Sequence, residues 1–192
     1  MKRFISILSV ILLLSAAVFA DDSDGGDEYD DGFVYEQNGA GDQFLKIDLS
    51  VNFPLNFGSQ LKIGGLVSVG YYKFLNQYWA FGGDLLVSYN LSVGNKPLFI
   101  VPITLGVMYQ PYIGKFEFPM SLSIGISTVS CQSMTYFPGF AARFTAGAYY
   151  RFSETWSFGL TSTTYWIPQW IWGKPADNGF FTSAGLTVRY HF

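Results

Sequence analysis

The chain has 192 residues, of which 49% are hydrophobic, 19% aromatic and 13% charged, with a formal net charge of −3. The charge content is about half that of an ordinary globular domain, and the apolar and aromatic content excludes a disordered chain. From residue 44 onward nine Lys+Arg stand against five Asp+Glu; they are scattered along the chain and make no basic nucleic-acid surface.

Residues 1–20 read as a secretory signal peptide. Met1-Lys2-Arg3 is basic, Phe4 to Leu14 is apolar, and small residues end the segment at Ala20. A membrane anchor is the alternative, but the run is short for a helical span. No Cys stands at the cut, which excludes a lipoprotein, and Cys131 is the only cysteine, so it is expected as a free thiol. Residues 21–43 form an acidic tail. Asp21 to Asp42 holds nine carboxylates and no Lys or Arg, and disorder is expected. Its spacing does not match a calcium loop, and no metal site or cofactor is expected anywhere in the chain.

Residues 44–192 divide into eight segments of period two, the signature of strands with one apolar and one polar face. Leu45, Ile47, Leu49, Val51 and Phe53 alternate with Lys46, Asp48, Ser50 and Asn52. The segment from Leu61 to Phe74 follows, then Tyr78 to Ser92, Leu98 to Gln110, Phe116 to Ser130, Phe140 to Phe152, Trp156 to Trp166 and Phe180 to Phe192. Short turns at Leu75-Asn76-Gln77, Pro111 to Lys115 and Ser153-Glu154-Thr155 alternate with longer loops. Two of these loops, 131–139 and 167–178, are the longest. Such alternation predicts an all-β, eight-stranded antiparallel transmembrane β-barrel, an up-and-down meander with turns at one end and loops at the other.

Three features favour a membrane barrel over a soluble lipocalin-like one. The apolar faces carry no charge except Lys73, next to a turn. Outward rings gather at both strand ends: Trp79, Tyr109, Phe116, Tyr150, Phe152, Trp156, Tyr190 and Phe192 at the turn end, and Phe53, Tyr89, Phe99, Phe140, Trp166 and Phe180 at the loop end. These read as girdles at two water–lipid interfaces. The polar faces carry Gly64, Gly70, Gly82, Gly106, Gly125, Gly147, Gly159 and Gly185, suited to a narrow wall with inward Tyr72, Tyr149 and Tyr165. Pro102 and Pro119 cannot donate within a closed sheet, so bulges are expected there.

The inward ionisable residues are Lys46, Asp48, Lys62, Asp84, Glu117, Arg143, Arg151, Arg189 and His191. Eight strands leave an interior filled by side chains, so these should form a lumen charge network, with Asp48 facing Arg189 and Glu117 near Arg151. Catalysis has little support, because the sole histidine, His191, lies at the turn end. Trp170 and Trp172 in the last loop are candidates for contact with a partner or ligand.

The terminal strand, with Val188, Tyr190 and a final Phe192 at alternate positions, resembles the last strand of bacterial outer-membrane β-barrels. There, such an ending is the signal read by the barrel-assembly machinery. Y-K-F-L-N-Q-Y-W-A-F-G-G-D and G-K-F-E-F-P resemble the small OmpW/OmpX/OmpA-type barrels, including the OmpW-like barrels of spirochaetes. The resemblance implies a monomer in outer-membrane lipid, exported through a signal peptide. The OmpW likeness implies a narrow channel for small hydrophobic molecules. The OmpX and OmpA likeness implies structural or surface-interaction roles, which would work through loops 131–139 and 167–178. A lipid-modifying membrane enzyme is a minor alternative. Deleting Phe192 should cut the membrane-inserted yield sharply, whereas deleting Asp21 to Asp42 should leave it nearly intact; equal yields of the two truncations would contradict the signal.

Overall fold

The computed structural model describes residues 38–56, 60–132, 134–169 and 177–192. The expected signal peptide, most of the acidic segment, and Trp170 and Trp172 lie outside the described residues. The strands are β1 (Gln43–Pro54), β2 (Gly64–Phe74), β3 (Trp79–Leu91), β4 (Pro97–Tyr109), β5 (Tyr112–Ile113), β6 (Phe116–Glu117), β7 (Met120–Cys131), β8 (Met134–Arg151), β9 (Trp156–Gln169) and β10 (Asp177–His191). All pairings are antiparallel, and each barrel strand pairs with its neighbours in turn. The circle closes where β1 meets β10 in an unbroken register from Phe44–His191 to Pro54–Phe181.

β6 and β7 are one stave of the barrel with a break at Phe118 and Pro119. Phe116 pairs with Tyr150, and the same register resumes at Met120 with Ala146. The barrel is therefore the eight-stranded meander that the alternation predicts, with β5 and β6 adding a small hairpin at the turn end. Asn76 shapes the β2–β3 turn by accepting the backbone N–H groups of Tyr78 and Trp79, each at 2.9 Å. Ser153 plays a like part before β9, accepting from the N–H of Trp156 at 3.0 Å. Both are side chains whose short polar arms favour turns.

Sidedness is inverted relative to a soluble barrel. Leu49, Leu105, Leu122, Leu160 and Leu186 are each 60–67% exposed on the outer wall, while Lys46, Asp84, Glu117 and Arg189 are buried inside. Rings border this apolar wall at both ends, touching across strands as Trp79–Tyr109, Phe116–Tyr150 and Trp156–Tyr190 at the turn end. At the loop end the pairs are Tyr89–Phe99, Phe140–Trp166 and Trp166–Phe180. The girdle residues of five strands, Trp79 and Tyr89, Phe99 and Tyr109, Phe140 and Tyr150, Trp156 and Trp166, Phe180 and Tyr190, all stand ten positions apart. Ten steps of ~3.3 Å, tilted by ~40°, span about 25 Å, the height of an outer-membrane barrel's apolar band.

The prolines depart from expectation. The β3–β4 register is the same on both sides of Pro102, but the rungs that would join Leu86 and Val87 to Pro102 and Val101 are absent. Pro102 interrupts the ladder by its missing donor without adding a residue, and Pro119 likewise breaks the stave without shifting it. The register shift lies instead between Ser127 and Val129, opposite Tyr136 to Gly139. The segment 131–139 is also not a loop. β7 runs to Cys131 and β8 starts at Met134, so the hairpin extends beyond the barrel rim with Met134 and Phe137 exposed. Likewise β9 reaches Gln169 and β10 starts at Asp177, which shortens the connection expected over 167–178.

Inward glycines sit where neighbours leave no room for a side chain. A Cβ on Gly82 would lie 2.2 Å from the Tyr71 carbonyl oxygen and 2.6 Å from the Tyr72 ring. Outward Gly65 has nothing within 4 Å of such an atom. Gly82→Ala should therefore destabilise the folded barrel by about 1–3 kcal/mol. Gly65→Ala should be neutral or stabilising by up to roughly 1 kcal/mol. Urea unfolding in lipid vesicles reads both, and equal midpoints would contradict the close-packed wall.

Candidate functional site: the barrel lumen

Long polar side chains project from all sides of a narrow lumen and meet in two groups. The first centres on Asp84 of β3. Its carboxylate receives Lys46 Nζ at 2.9 Å, the Arg143 guanidinium from β8 and the Tyr72 hydroxyl. Asp48 sits beside it, accepting from Ser68 Oγ at 2.9 Å and from Thr187 Oγ1, with Lys46 Nζ 3.8 Å away. Two cations against two carboxylates make this group neutral, as a buried cluster requires.

The second group lies nearer the turn end and centres on Glu117. Arg151 Nη1 is 3.4 Å from its Oε1, and Arg189 Nη1 is 3.5 Å from its Oε2. Arg189 also donates to Gln110 Oε1 at 2.8 Å, with its guanidinium carbon 3.6 Å from the Tyr149 ring centre and 4.7 Å from that of Phe44. His191 Nε2 stands 3.0 Å from Ser157 Oγ. Phe44, Tyr72, Phe74, Ala80 and Met108 pack together around this end, with the Phe44 and Tyr72 rings stacked at 5.4 Å. Ions, amides and rings together fill the cross-section here.

The structure thus brings together Lys46, Asp48, Asp84, Glu117, Arg143, Arg151, Arg189 and His191, all buried. It corrects two expectations. Lys62 is exposed: β2 begins only at Gly64, and Lys62 Nζ meets Asn95 Oδ1 at 3.3 Å on the loop side. Asp48 does not face Arg189; the residue opposite Arg189 in β1 is Lys46, and Arg189 reaches away to Gln110 and Glu117. The Glu117–Arg151 contact is present. Asn38 was not foreseen as part of the site. It is buried and accepts from Arg151 at 2.7 Å, while Gly41 N–H donates to the Phe74 carbonyl at 2.9 Å. The end of the acidic segment therefore packs on the barrel mouth, and a deletion that spares the barrel must stop before Asn38.

The loop half has a different character. Leu66, Leu86, Ile100, Val129, Ala141, Tyr165, Ile167 and Phe181 form a buried apolar cluster inside the lumen. Beside it lies a cavity of about 700 Å³, walled by Leu98, Ile100, Val129, Ile167 and Phe181 and rimmed by Asn56, Gln60, Gln169 and Asn178. Asn52 donates to Asn90 at 2.8 Å and to the Tyr165 hydroxyl at 2.7 Å, adding a polar patch among these apolar groups. The sequence signal for this cluster was present but weak: Leu66, Leu86, Ile100 and Phe181 are apolar residues on the face expected to be polar.

One protein-family model matches residues 25–190 of the chain. Two uncharacterised proteins of Treponema pallidum (strain Nichols) are similar: one is 29% identical over 66% of this chain, the other 24% identical over 65%. The matched segments span 65% and 48% of those relatives, less than two thirds of either. An uncharacterised protein of Borreliella burgdorferi is 29% identical over 75% of the chain and 80% of its own length. Among solved structures, Neisserial surface protein A superposes over 79% of this chain and 99% of its own, with a TM-score of 0.66 at 10% identity. The outer membrane protein OprG of Pseudomonas aeruginosa covers 81% and 98%, with a TM-score of 0.55 at 12% identity. Ail, the attachment invasion locus protein of Yersinia pestis, covers 79% and 99%, with a TM-score of 0.52 at 12% identity.

Removing one carboxylate from each environment separates the two roles in the neutral group. Asp84→Ala strands Lys46 and Arg143 and should destabilise the barrel by roughly 3–5 kcal/mol if the group is dry, less with water present. Asp48→Ala removes mainly hydroxyl contacts and should cost about 1–3 kcal/mol. Urea unfolding of both variants in vesicles checks the order; Asp48→Ala as the more damaging change would contradict Asp84 as the hub.

Proposed function

We propose, from the premise that the chain belongs to the protein family whose model spans residues 25–190 and folds as a small eight-stranded outer-membrane β-barrel, that it is an integral outer-membrane protein that captures small apolar molecules at its loop end and does not conduct ions. One observation carries this reading: a cavity of about 700 Å³, with apolar side chains on its wall and amides at its rim, sits in the loop half of a lumen whose turn half is filled by ionic and aromatic side chains. Ile100, Val129, Ile167 and Phe181 wall this cavity, and a barrel that needed only to fill its interior would gain little from leaving such a space beside them. Pockets for small molecules combine apolar walls with polar groups that orient the ligand, and the four rim amides could serve that second part.

A molecule in this cavity meets the charged plug below it. The way out of least resistance is sideways. Leu86 and Ile100 of the cluster border the stretch where β3 and β4 lack the Leu86–Pro102 and Val87–Val101 rungs. Pro102 offers no N–H to these rungs, so this seam is a weak part of the wall, and its outer side faces the apolar band. The route is from loop-side water through the cavity into lipid.

The remaining elements fit this reading. Export by residues 1–20 and recognition of Val188, Tyr190 and Phe192 by the assembly machinery would deliver the chain as a monomer. The reading is non-enzymatic: the hydrogen-bonded His191 and Ser157 are enclosed in the turn-end plug. A second reading, as a surface-interaction protein, rests on the projecting β7–β8 hairpin, where Met134 and Phe137 are 80% and 61% exposed.

Planar-bilayer recordings test the plug, and a neutral fluorescent probe such as N-phenyl-1-naphthylamine tests the cavity. The unmodified protein should show no large stable conductance. It should bind the probe above the level of protein-free nanodiscs, and Ile100→Asn should weaken that binding at least about tenfold, in line with roughly 1.4 kcal/mol or more of lost burial. Large single-channel conductance, or probe binding indifferent to Ile100, would overturn the reading. If Met134→Ser with Phe137→Ser abolished adhesion to cells while probe binding was absent, the second reading would replace it.

A further inference from the structure

The register shift between β7 and β8 decides which side chains border the cavity. Ser127 pairs with Gly139 and Val129 pairs with Tyr136, so β8 carries one residue more than β7 between these rungs. The extra residue falls at Phe137 and Pro138, opposite Thr128. Without it, the register would set Phe137 opposite Val129 and Thr135 opposite Cys131. With it, Tyr136 and Met134 take those places. Bulges beside binding sites re-aim side chains in this way.

The face so chosen belongs to the lumen, because residues directly opposite one another share a face. Val129 pairs with Ile100 and Cys131 with Leu98, and Leu98, Ile100 and Val129 wall the cavity. Tyr136 packs against the buried apolar cluster, and a Cβ on inward Gly139 would lie 3.0 Å from its ring. Cys131 and Met134 make the next rung on this face, about 7 Å beyond Val129 along the strand. Met134 is 80% exposed there. The apolar wall of the cavity therefore continues up the hairpin beyond the barrel rim, through Val129, Tyr136, Cys131 and Met134. Phe137 stands on the other face, with Thr128.

A second observation concerns charge. From Phe118 to Ala142 the chain has no Asp, Glu, Lys, Arg or His. This wall has nothing to pair with an ionised group, so whatever lies on it is uncharged. Met is unbranched and polarisable and adapts to apolar surfaces of different shapes. An exposed apolar strip that runs without a break into a cavity is a ligand groove rather than a scattered surface residue.

We infer that the inner face of the β7–β8 hairpin, Tyr136 with Cys131 and Met134, holds the outer end of an elongated, uncharged apolar molecule whose inner end occupies the cavity. The inference rests on the proposed capture of small apolar molecules and adds the form of the ligand. The strip is one hairpin wide, so it supports a flexible chain rather than a compact ring system. It also sets the place of first contact, at the exposed Met134.

Cys131 lies on the strip and supplies the readout. The full-length protein in nanodiscs is given octanol or hexadecanol, and Cys131 is then labelled with a charged, water-soluble maleimide. Saturating hexadecanol should suppress labelling, while octanol, short enough to stay within the cavity, should leave it nearly unchanged. Displacement of N-phenyl-1-naphthylamine measures the affinity of each alcohol. Met134→Ser with Tyr136→Ser should weaken hexadecanol binding about tenfold and leave octanol binding unchanged. Met134→Ser alone, which alters an exposed side chain and spares the fold, should weaken hexadecanol binding about threefold. Phe137→Ser, on the other face, should change neither. Hexadecanol binding indifferent to Met134, with Cys131 labelled at its unprotected rate, would overturn this inference and leave the cavity reading standing. Failure of both alcohols to bind would overturn both.

Discussion

Backbone hydrogen bonding in lipid constrains everything else in this molecule. Hydrocarbon offers no partner to an unpaired N–H or C=O, so a spanning sheet must close on itself. β1 and β10 meet that demand with an unbroken register along their length. Closure with eight strands then fixes a narrow interior, and lipid claims the outer face for Leu, Ile, Val and the two girdles. Every polar side chain on the inner face must find its partner within that interior. The Asp84 and Glu117 groups, the stacked rings and the inward glycines are solutions to that single packing problem. Gly82 lies beneath the Tyr72 ring because the ring must fit somewhere in a closed wall.

The two halves of the lumen solve it differently. Towards the turn end, ion pairs, amides and rings pack across the narrow interior. Towards the loop end, apolar groups line a space that is not filled. Pro102 connects this second half to the wall. By withholding one donor it leaves β3 and β4 unpaired for two rungs without disturbing the register on either side. A bulge would have tightened and twisted the strand; an unpaired proline weakens it in place. That weakness lies beside Leu86 and Ile100, where the lateral route of the proposed function would cross the wall.

Much of this was legible in the sequence because a period of two is hard to mistake. The strand count, the facing of Lys46, Asp84, Glu117 and Arg189, and the girdles follow directly from alternation. What alternation conceals is reach. Arg143 on β8 contacts Asp84 on β3 across the barrel, and Arg189 on β10 reaches away from Asp48 to Gln110 and Glu117. Cross-strand neighbours were the only partners that sequence could suggest, and long side chains in a narrow tube choose partners across it. Alternation runs on past the start of β2 at Gly64 and so points Lys62 inward, although it lies outside the strand. The β7–β8 hairpin looks like a loop in the sequence because the register shift near Ser127 and Val129 breaks the period there.

The central claim is the sidedness of the wall: apolar residues to lipid, polar residues to a sealed interior. Spin labels placed one at a time at outward Leu49, Leu160 and Leu186 and at inward Thr187 and Ser183, in a Cys131→Ser background reconstituted in lipid, measure it most directly. The three outward labels should collide freely with dissolved oxygen and hardly at all with a water-soluble nickel chelate, while the two inward labels should be shielded from oxygen. Outward labels open to the nickel chelate, or inward labels as open to oxygen as the outward ones, would contradict it.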